Sequence, residues 1–281
     1  MNEHRSLLWN ISYRMLGSAD EADEVVQECF LRALEHPPQT DRPLRPWLVK
    51  VSVNLARDRL RVRRRQPYPC PWLPQPVPDE LLDRQKGAGY ALLVAMERLT
   101  PTQRAVWLLR EVFEYSVEET AELLTMSPSN VKVTLHRARQ QLGELPEACP
   151  PSKGMEILTQ FLGCIAGGDV AGALALLTED VVLLNDGGGR YAAAGIPLVG
   201  AERVVRTLLN LQKRGAPASS LGFTALNGEV AFYARRQPRV SRDAPVYLLF
   251  PEIRSGRIAG IYILLATAKL PDDQVMPERW D

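Results

Sequence analysis

Leu99 to Leu142 reads LTPTQRAVWLLREVFEYSVEETAELLTMSPSNVKVTLHRARQQL, and three helix starts follow one another within it at the spacing of a helix-turn-helix. Thr100 can cap a first helix, with Pro101 at its first position and Gln103 completing a capping box. Ser116 and Glu119 repeat the box, and Ser127 followed by Pro128 opens a third helix. Thr125 to Ser127 is then the tight turn between two short helices.

In the last helix Val131, Leu135, Ala138 and Leu142 share one face, which leaves Lys132, Val133, His136, Arg137 and Arg139 projecting elsewhere. A core stripe opposite a basic face suits a helix that enters the DNA major groove, where Arg and Lys reach guanine edges and phosphates. The plainer alternative is a solvated charged helix. This segment resembles region four of bacterial sigma factors, particularly the extracytoplasmic-function group, whose last helix ends in a similar His-Arg-Ala-Arg run, here His136 to Arg139. The resemblance implies recognition of the minus-thirty-five promoter element. It also places Lys132, Val133, His136, Arg137 and Arg139 at the positions facing DNA.

Upstream, Leu7 to Leu16 is an apolar helical stretch ended by Gly17, and Ser18 with Glu21 opens a second helix running to about Glu35. Ala22, Val25, Val26, Cys29, Ala33 and Leu34 can face a core, while Asp23, Glu24, Gln27 and Glu28 form an acidic outer face. The phrase DEVVQECFLRA, Asp23 to Ala33, resembles region two of the same sigma group, in which this face docks on the coiled coil of the RNA polymerase β′ subunit. The resemblance assigns Glu24, Gln27, Glu28 and Arg32 as polymerase contacts.

His36 to Pro46 carries Pro37, Pro38, Pro43 and Pro46 and reads as a loop. A helix from about Trp47 to Arg65 follows, apolar first and then the densest basic patch in the chain, where Lys50, Arg57, Arg59, Arg61, Arg63, Arg64 and Arg65 oppose only Asp58. Arginines that merely complement a helix C-terminus are the structural alternative. WLVKVSVNLARDRLR resembles the region-two helix that reads and melts the minus-ten element. By that resemblance Asn54 faces the non-template strand, with Arg57, Arg61, Arg63 and Arg64 near phosphates. Trp47 suits either a stacking platform for an unpaired base or the core.

At 281 residues and 46% apolar, the chain is long enough for two or three cored domains. No apolar run is long enough for a membrane span, and MNEHRSLLWN lacks the blocks of a signal peptide, so a cytoplasmic protein is expected. Cys29, Cys70, Cys149 and Cys164 have no paired spacing and only three histidines could join them, which supports neither a disulfide framework nor a metal site. No cofactor is indicated. Net charge is +1, and the residues before Pro151 carry twenty acidic and twenty basic side chains. Affinity for DNA through counterion release is therefore local and weak, as befits a subunit that binds promoters within a larger assembly.

Gln66 to Asp79 holds six prolines and reads as an extended connector in which Trp72 and Leu73 are large apolar groups seeking a dock. Leu81 to Leu99 resumes an amphipathic helix. After Leu142, Gly143, Pro146, Pro150 and Pro151 mark a second boundary. Met155 to Ile165, Ala171 to Leu177 and Ala201 to Lys213 are helical by periodicity; Val181 to Leu184, Glu229 to Ala234, Val246 to Phe250 and Ile258 to Leu265 read as strands. Two helices, a curved sheet and an inserted helix describe an α+β cone that resembles the SnoaL-like domains of the nuclear-transport-factor-two superfold. PWLPQPVPDE, Pro71 to Glu80, and NDGGGR, Asn185 to Arg190, resemble signatures of the sigma subgroup with such a domain fused at its C-terminus. Relatives also carry an Asn-Pro-Asp-Lys-Leu run near the end, of which only Lys269 and Leu270 remain here.

The expected chain is multidomain: sigma region two over 1–66, a Pro-rich linker over 67–80, sigma region four with its leading helix over 81–146, a SnoaL-like domain over 152–270 and a tail over 271–281. The expected function is a sigma factor that binds core RNA polymerase, directs transcription initiation at minus-ten and minus-thirty-five elements and is regulated in cis by its C-terminal domain. Trp72, Leu73, Pro74 and Pro76 are expected to meet Asp186, Gly187, Gly188, Gly189 and Arg190, and Trp280 in the tail is a further docking candidate. The competing class is an enzyme, since SnoaL-like folds can enclose a cavity. The cone has no histidine, the commonest general base, although Asp180 and Asp186 remain and a sensed small ligand stays open. A repressor acting without polymerase would need tighter duplex binding than this charge balance supports.

Overall fold

In the computed structural model, which describes residues 2–36, 43–82, 89–146, 149–215 and 217–271, the chain divides into two compact units. The first holds residues up to Pro67 together with Leu92–Leu145. Its opening helix α1 (Arg5–Leu16) stops where Gly17 turns left-handed at φ 65°, and α2 (Ala19–Glu35) starts on the Ser18 side chain, which accepts from Glu21 N–H. Val25, Val26 and Cys29 are fully buried, whereas Leu34 is 65% exposed and does not join the core. Helix α3 (Leu44–Arg63) begins three residues earlier than the prolines suggest. Pro46 falls in its first turn, where no N–H is needed, so that proline is compatible with the helix it was expected to block. The rest of the expected loop, residues 37–42, lies outside the described residues.

The second half of this unit obeys its caps. Helix α4 (Tyr90–Met96) leads in, shorter than the stretch expected from Leu81, of which residues 83–88 lie outside the described residues. Helix α5 (Pro101–Trp107) carries the complete Thr100–Gln103 capping box and runs into a single π-helical turn, Leu108–Val112. Helix α6 (Val117–Leu124) carries the Ser116–Glu119 box; the Ser116 N–H and hydroxyl hold the exposed Glu119 carboxyl below the usual range. Thr125 makes the turn at φ 55°, and Ser127 caps α7 (Pro128–Leu142).

Buried arginines join the two halves of the unit. Arg104 of α5 is completely buried, donates from Nε to the Arg14 carbonyl of α1 at 2.9 Å and pairs with Glu97. Glu97 also lies 3.5 Å from Arg63 of α3.

The second unit is the C-terminal domain with two pieces of upstream chain, Tyr68–Leu81 and Gly89–Ala91. Helices α8 (Pro151–Gly167) and α9 (Val170–Ala175) precede a six-stranded sheet, ordered β2-β1-β6-β5-β4-β3. Its strands are β1 (Leu177–Asp186), β2 (Leu198–Val199), β3 (Ala218–Leu226), β4 (Glu229–Arg236), β5 (Val246–Arg254) and β6 (Arg257–Leu264). All neighbours are antiparallel except β1 and β6. Helix α10 (Ala201–Arg214) is inserted between β2 and β3. Strands β2 and β3 went unread in the sequence: β2 has two residues, and β3 contains Ser219, Ser220 and Gly222, which carry little strand preference.

The sheet uses both faces. Its inner face, with Phe232, Leu249, Ile261 and Ile263, packs with Leu158 and Phe161 of α8 and Val204 and Val205 of α10. The period of two puts Tyr233, Leu248, Phe250, Tyr262 and Leu264 on the outer face, yet each is no more than 4% exposed. That face is covered by the connector, whose Leu73 and Val77 are buried at 0% and 2% and whose continuation, Tyr90, stacks on Phe250 at 3.9 Å between ring centroids. Burial of each such aliphatic side chain contributes roughly 1.5–3 kcal/mol, which explains how a Pro-rich segment with almost no secondary structure stays ordered. Trp280 and the rest of the tail after Pro271 lie outside the described residues.

Candidate nucleic-acid interface and connector seat

Helix α7 buries Val131, Leu135, Ala138 and Leu142. Its other side presents Lys132, Val133, His136, Arg137 and Arg139, all exposed. Val133, 48% exposed next to Lys132, puts an apolar group on the same basic side. Arg139 carries a 2.6 Å pair with Glu111, so its guanidinium is oriented before any partner arrives.

On α3 the basic residues divide by environment. Asn54 and Arg57 are half-buried, and burial followed by repulsion from Arg61 lowers the Arg57 pKa. Arg61 is exposed and pairs with Asp58 at 2.7 Å. Arg63 and Arg64, expected near phosphates, hold backbone carbonyls of the protein. Arg63 donates to the Leu16 carbonyl at 2.7 Å, and Arg64 donates to the carbonyls of Glu97, at 3.0 Å, and Leu99. A helix end buried beside orphan carbonyls needs such donors, and here the protein itself takes them.

The outer side of α2 exposes Glu24, Gln27 and Arg32, with Glu28 half-exposed. Glu24 pairs with Arg59 at 2.5 Å and Glu28 with Arg32 at 2.8 Å. Leu31, 54% exposed, and Leu34 lie along the same helix, so its surface offers apolar as well as charged contacts.

The connector seat is built around Asp186 at the end of β1, a carboxylate with no exposure. It accepts from Tyr68 OH at 2.7 Å, Leu73 N–H at 2.9 Å, Gly188 N–H at 2.9 Å and Lys269 Nζ at 2.7 Å. Lys269 also donates to the Leu73 carbonyl at 2.9 Å and lies 4.1 Å from the centroid of the Trp72 ring. A buried charge this fully hydrogen-bonded is the condition under which burial is tolerated. Cys70 completes the rim, its thiol pushed up by burial first and by Asp186 next.

The Asp186–Arg190 loop is shaped for this role. A Cβ on Gly187 would lie 2.3 Å from the Tyr191 carbonyl oxygen, and Gly188 and Gly189 sit at φ 60° and 75°. Arg190 stacks on Tyr191, its Cζ 5.4 Å from the ring centroid. Downstream, Val77 N–H donates to the Asn227 side chain at 2.9 Å and Asn227 N–H donates back to the Val77 carbonyl at 3.0 Å. Pro74 receives the Tyr90 hydroxyl at 2.8 Å, and Pro76 is buried without a polar role.

The sigma-70 region 2 model matches residues 1–66 and the sigma-70 region 4 model residues 90–142. The chain is 31% identical over 147 residues to the ECF RNA polymerase sigma factor SigL of Mycobacterium tuberculosis, spanning 50% of this chain and 83% of that one. The chain belongs to the extracytoplasmic-function RNA polymerase sigma factors.

The likeness extends beyond the sigma regions. The M. tuberculosis sigma factor SigJ is 28% identical over 275 residues, covering 92% of this chain and 88% of that one. Its crystal structure superimposes with a TM-score of 0.80 at 25% identity over 99% of this chain and 98% of that one. This sigma factor therefore shares its C-terminal α+β domain, as well as its two sigma regions, with SigJ. Its family consists of transcription initiation subunits, which bind core RNA polymerase and promoter DNA, and not of enzymes. Among the described residues no helix is long and apolar enough to cross a membrane, and no three His, Cys, Asp or Glu side chains gather as metal ligands.

Sequence reasoning missed Lys269, Tyr68, Tyr90 and Asn227 at the seat. Lys269 carried a signal, as the survivor of the C-terminal run, and Asn227-Gly228 is a hairpin-turn dipeptide. Tyr68 and Tyr90 carried none.

Proposed function

We propose that this sigma factor acts in the cytoplasm, that α7 reads the minus-thirty-five element with Lys132, Val133, His136, Arg137 and Arg139, and that α3 serves the minus-ten element with Asn54, Arg57 and Arg61. Glu24, Gln27, Glu28 and Arg32 of α2 meet the β′ coiled coil. Arg63 and Arg64 become available to phosphates only by exchanging the carbonyls they now hold. The C-terminal domain acts in cis through the connector between the two regions. The observation that carries this last reading is the buried Asp186 carboxylate holding Leu73 N–H at 2.9 Å, with Lys269 closing on the Leu73 carbonyl.

A tether held at its middle cannot vary its reach, so the seat constrains where region four can go relative to region two. The inner layer of the cone, with Phe161, Phe232 and Ile261, favours a packed core over a ligand chamber. The test is run-off transcription with core polymerase, comparing the full chain, a truncation ending near Cys149 and Asp186→Ala. A core-dependent transcript whose yield changes in the same direction in both altered forms supports cis control through the seat. Identical yields from all three forms remove it, and absence of transcript with any form removes the DNA assignments.

A further inference from the structure

Helix α10 buries Val204 and Val205 in the core of the C-terminal domain, with Leu208 and Leu209 packed against it. At 3.6 residues per turn, Arg203, Arg206, Asn210 and Lys213 fall together on the opposite side, and all four are exposed. Glu202 is the only acidic residue of the helix and precedes Arg206 by four positions, the spacing of a helical ion pair. Among the described residues, however, none of Arg203, Arg206 and Lys213 forms an ion pair. Cations elsewhere in the domain are engaged with it: Arg236 donates to the Ala244 carbonyl at 3.0 Å, Arg254 lies 3.1 Å from Glu252, and Lys269 lies 2.7 Å from Asp186. The stripe on α10 thus contributes nothing to holding the fold. Glu179 and Glu202 stand at its N-terminal end, so an anionic partner is met along the side of the helix and not over its first turn.

We propose that α10 is a third DNA-contacting element of this sigma factor, in which Arg203, Arg206, Asn210 and Lys213 hold backbone phosphates of the promoter duplex without reading its bases. Arg, Lys and Asn are the side chains that contact phosphates, and the stripe carries no aromatic ring on which an unpaired base could stack. From Arg203 to Lys213 the helix rises about 15 Å, which matches about four base pairs of duplex. The apolar side of α10 is committed to the core, so the helix has nothing to insert into a lipid interface. A sigma factor bound to its promoter already holds a duplex at high local concentration, and a few added cations then act without strong affinity of their own. The assignment rests on promoter binding by the family and is independent of the control in cis proposed above.

The test measures affinity for a promoter duplex that supports run-off transcription, across a salt series, with holoenzyme carrying either the full chain or the combined variant Arg203→Gln, Arg206→Gln and Lys213→Gln. With about 0.9 counterions released per neutralised phosphate, the slope of log affinity against log salt should fall by about 2 to 3, while base preference and start site stay as they were. An unchanged slope overturns the proposal. A benzophenone photocrosslinker in place of Asn210 should label a DNA strand in the same complex. Label confined to polymerase subunits overturns the DNA assignment and points to an acidic protein surface. The thermal midpoint of the combined variant should not move, since its side chains lie away from the core; should that variant not fold, the crosslink at position 210 decides. Arg137→Ala alters α7 alone, so failure of the minus-thirty-five assignment and failure of this one are separate results.

Discussion

The Lys269 ammonium lies 2.7 Å from the Asp186 carboxylate, and the two residues are 83 positions apart in the chain. Asp186 is completely buried and the Lys269 side chain is 17% exposed, so the carboxylate depends on its protein donors more than the ammonium depends on its acceptors. Their shared purpose is Leu73, whose N–H goes to one and whose carbonyl goes to the other.

Asp186→Ala is expected to destabilise the C-terminal unit by about 3–5 kcal/mol, because it removes from a completely buried position the acceptor shared by Tyr68, Leu73, Gly188 and Lys269. Asp186→Ala with Lys269→Met should cost clearly less than the sum of the two single changes. Urea unfolding of the four proteins measures the coupling, and additive costs would mean that the pair does not act as one.

Arg104 and Arg139 are both ion-paired, yet their removal should differ. Arg104 is completely buried between Glu97 and the Arg14 carbonyl, so Arg104→Met should cost about 3 kcal/mol or more. Arg139→Ala loses an exposed pair with Glu111 and should cost under about 1 kcal/mol. Denaturant midpoints of the two variants give the comparison.

Arg137→Ala should leave stability within about 0.5 kcal/mol, since the side chain is exposed and packs on nothing in the core. Promoter binding by the holoenzyme should weaken, with the slope of log affinity against log salt falling by about 1 if its contact is a phosphate. A base contact would show instead as relaxed preference at one promoter position.

Thr125 turns the chain between α6 and α7 at φ 55°, where a β-branched residue is strained. Thr125→Gly should therefore be neutral or stabilising by up to about 1 kcal/mol, against the usual penalty for glycine. Ser127→Ala, two residues on, should cost about 1 kcal/mol through the lost bond from Asn130 N–H. Thermal unfolding that showed both changes destabilising would contradict the strain argument.

What the chain settles locally was legible in its letters. Thr100, Ser116 and Ser127 start their helices because a side-chain oxygen three residues from an orphan N–H needs no tertiary help, and the Val131–Leu142 stripe orients α7 by periodicity alone. The aromatic and branched runs of β4, β5 and β6 announced strands for the same reason. Only the folded chain decided how each arginine is engaged: Arg61 and Arg63 are two residues apart in one basic run, but Arg63 meets the Leu16 carbonyl of another helix, whereas Arg61 lies exposed with Asp58 of its own helix. Only the folded chain, too, turned a proline-rich connector into the cover of a sheet. Proline dictates extension, not destination; the destination came from Asp186, Lys269 and Asn227, whose donors and acceptors match a backbone more than a hundred residues away.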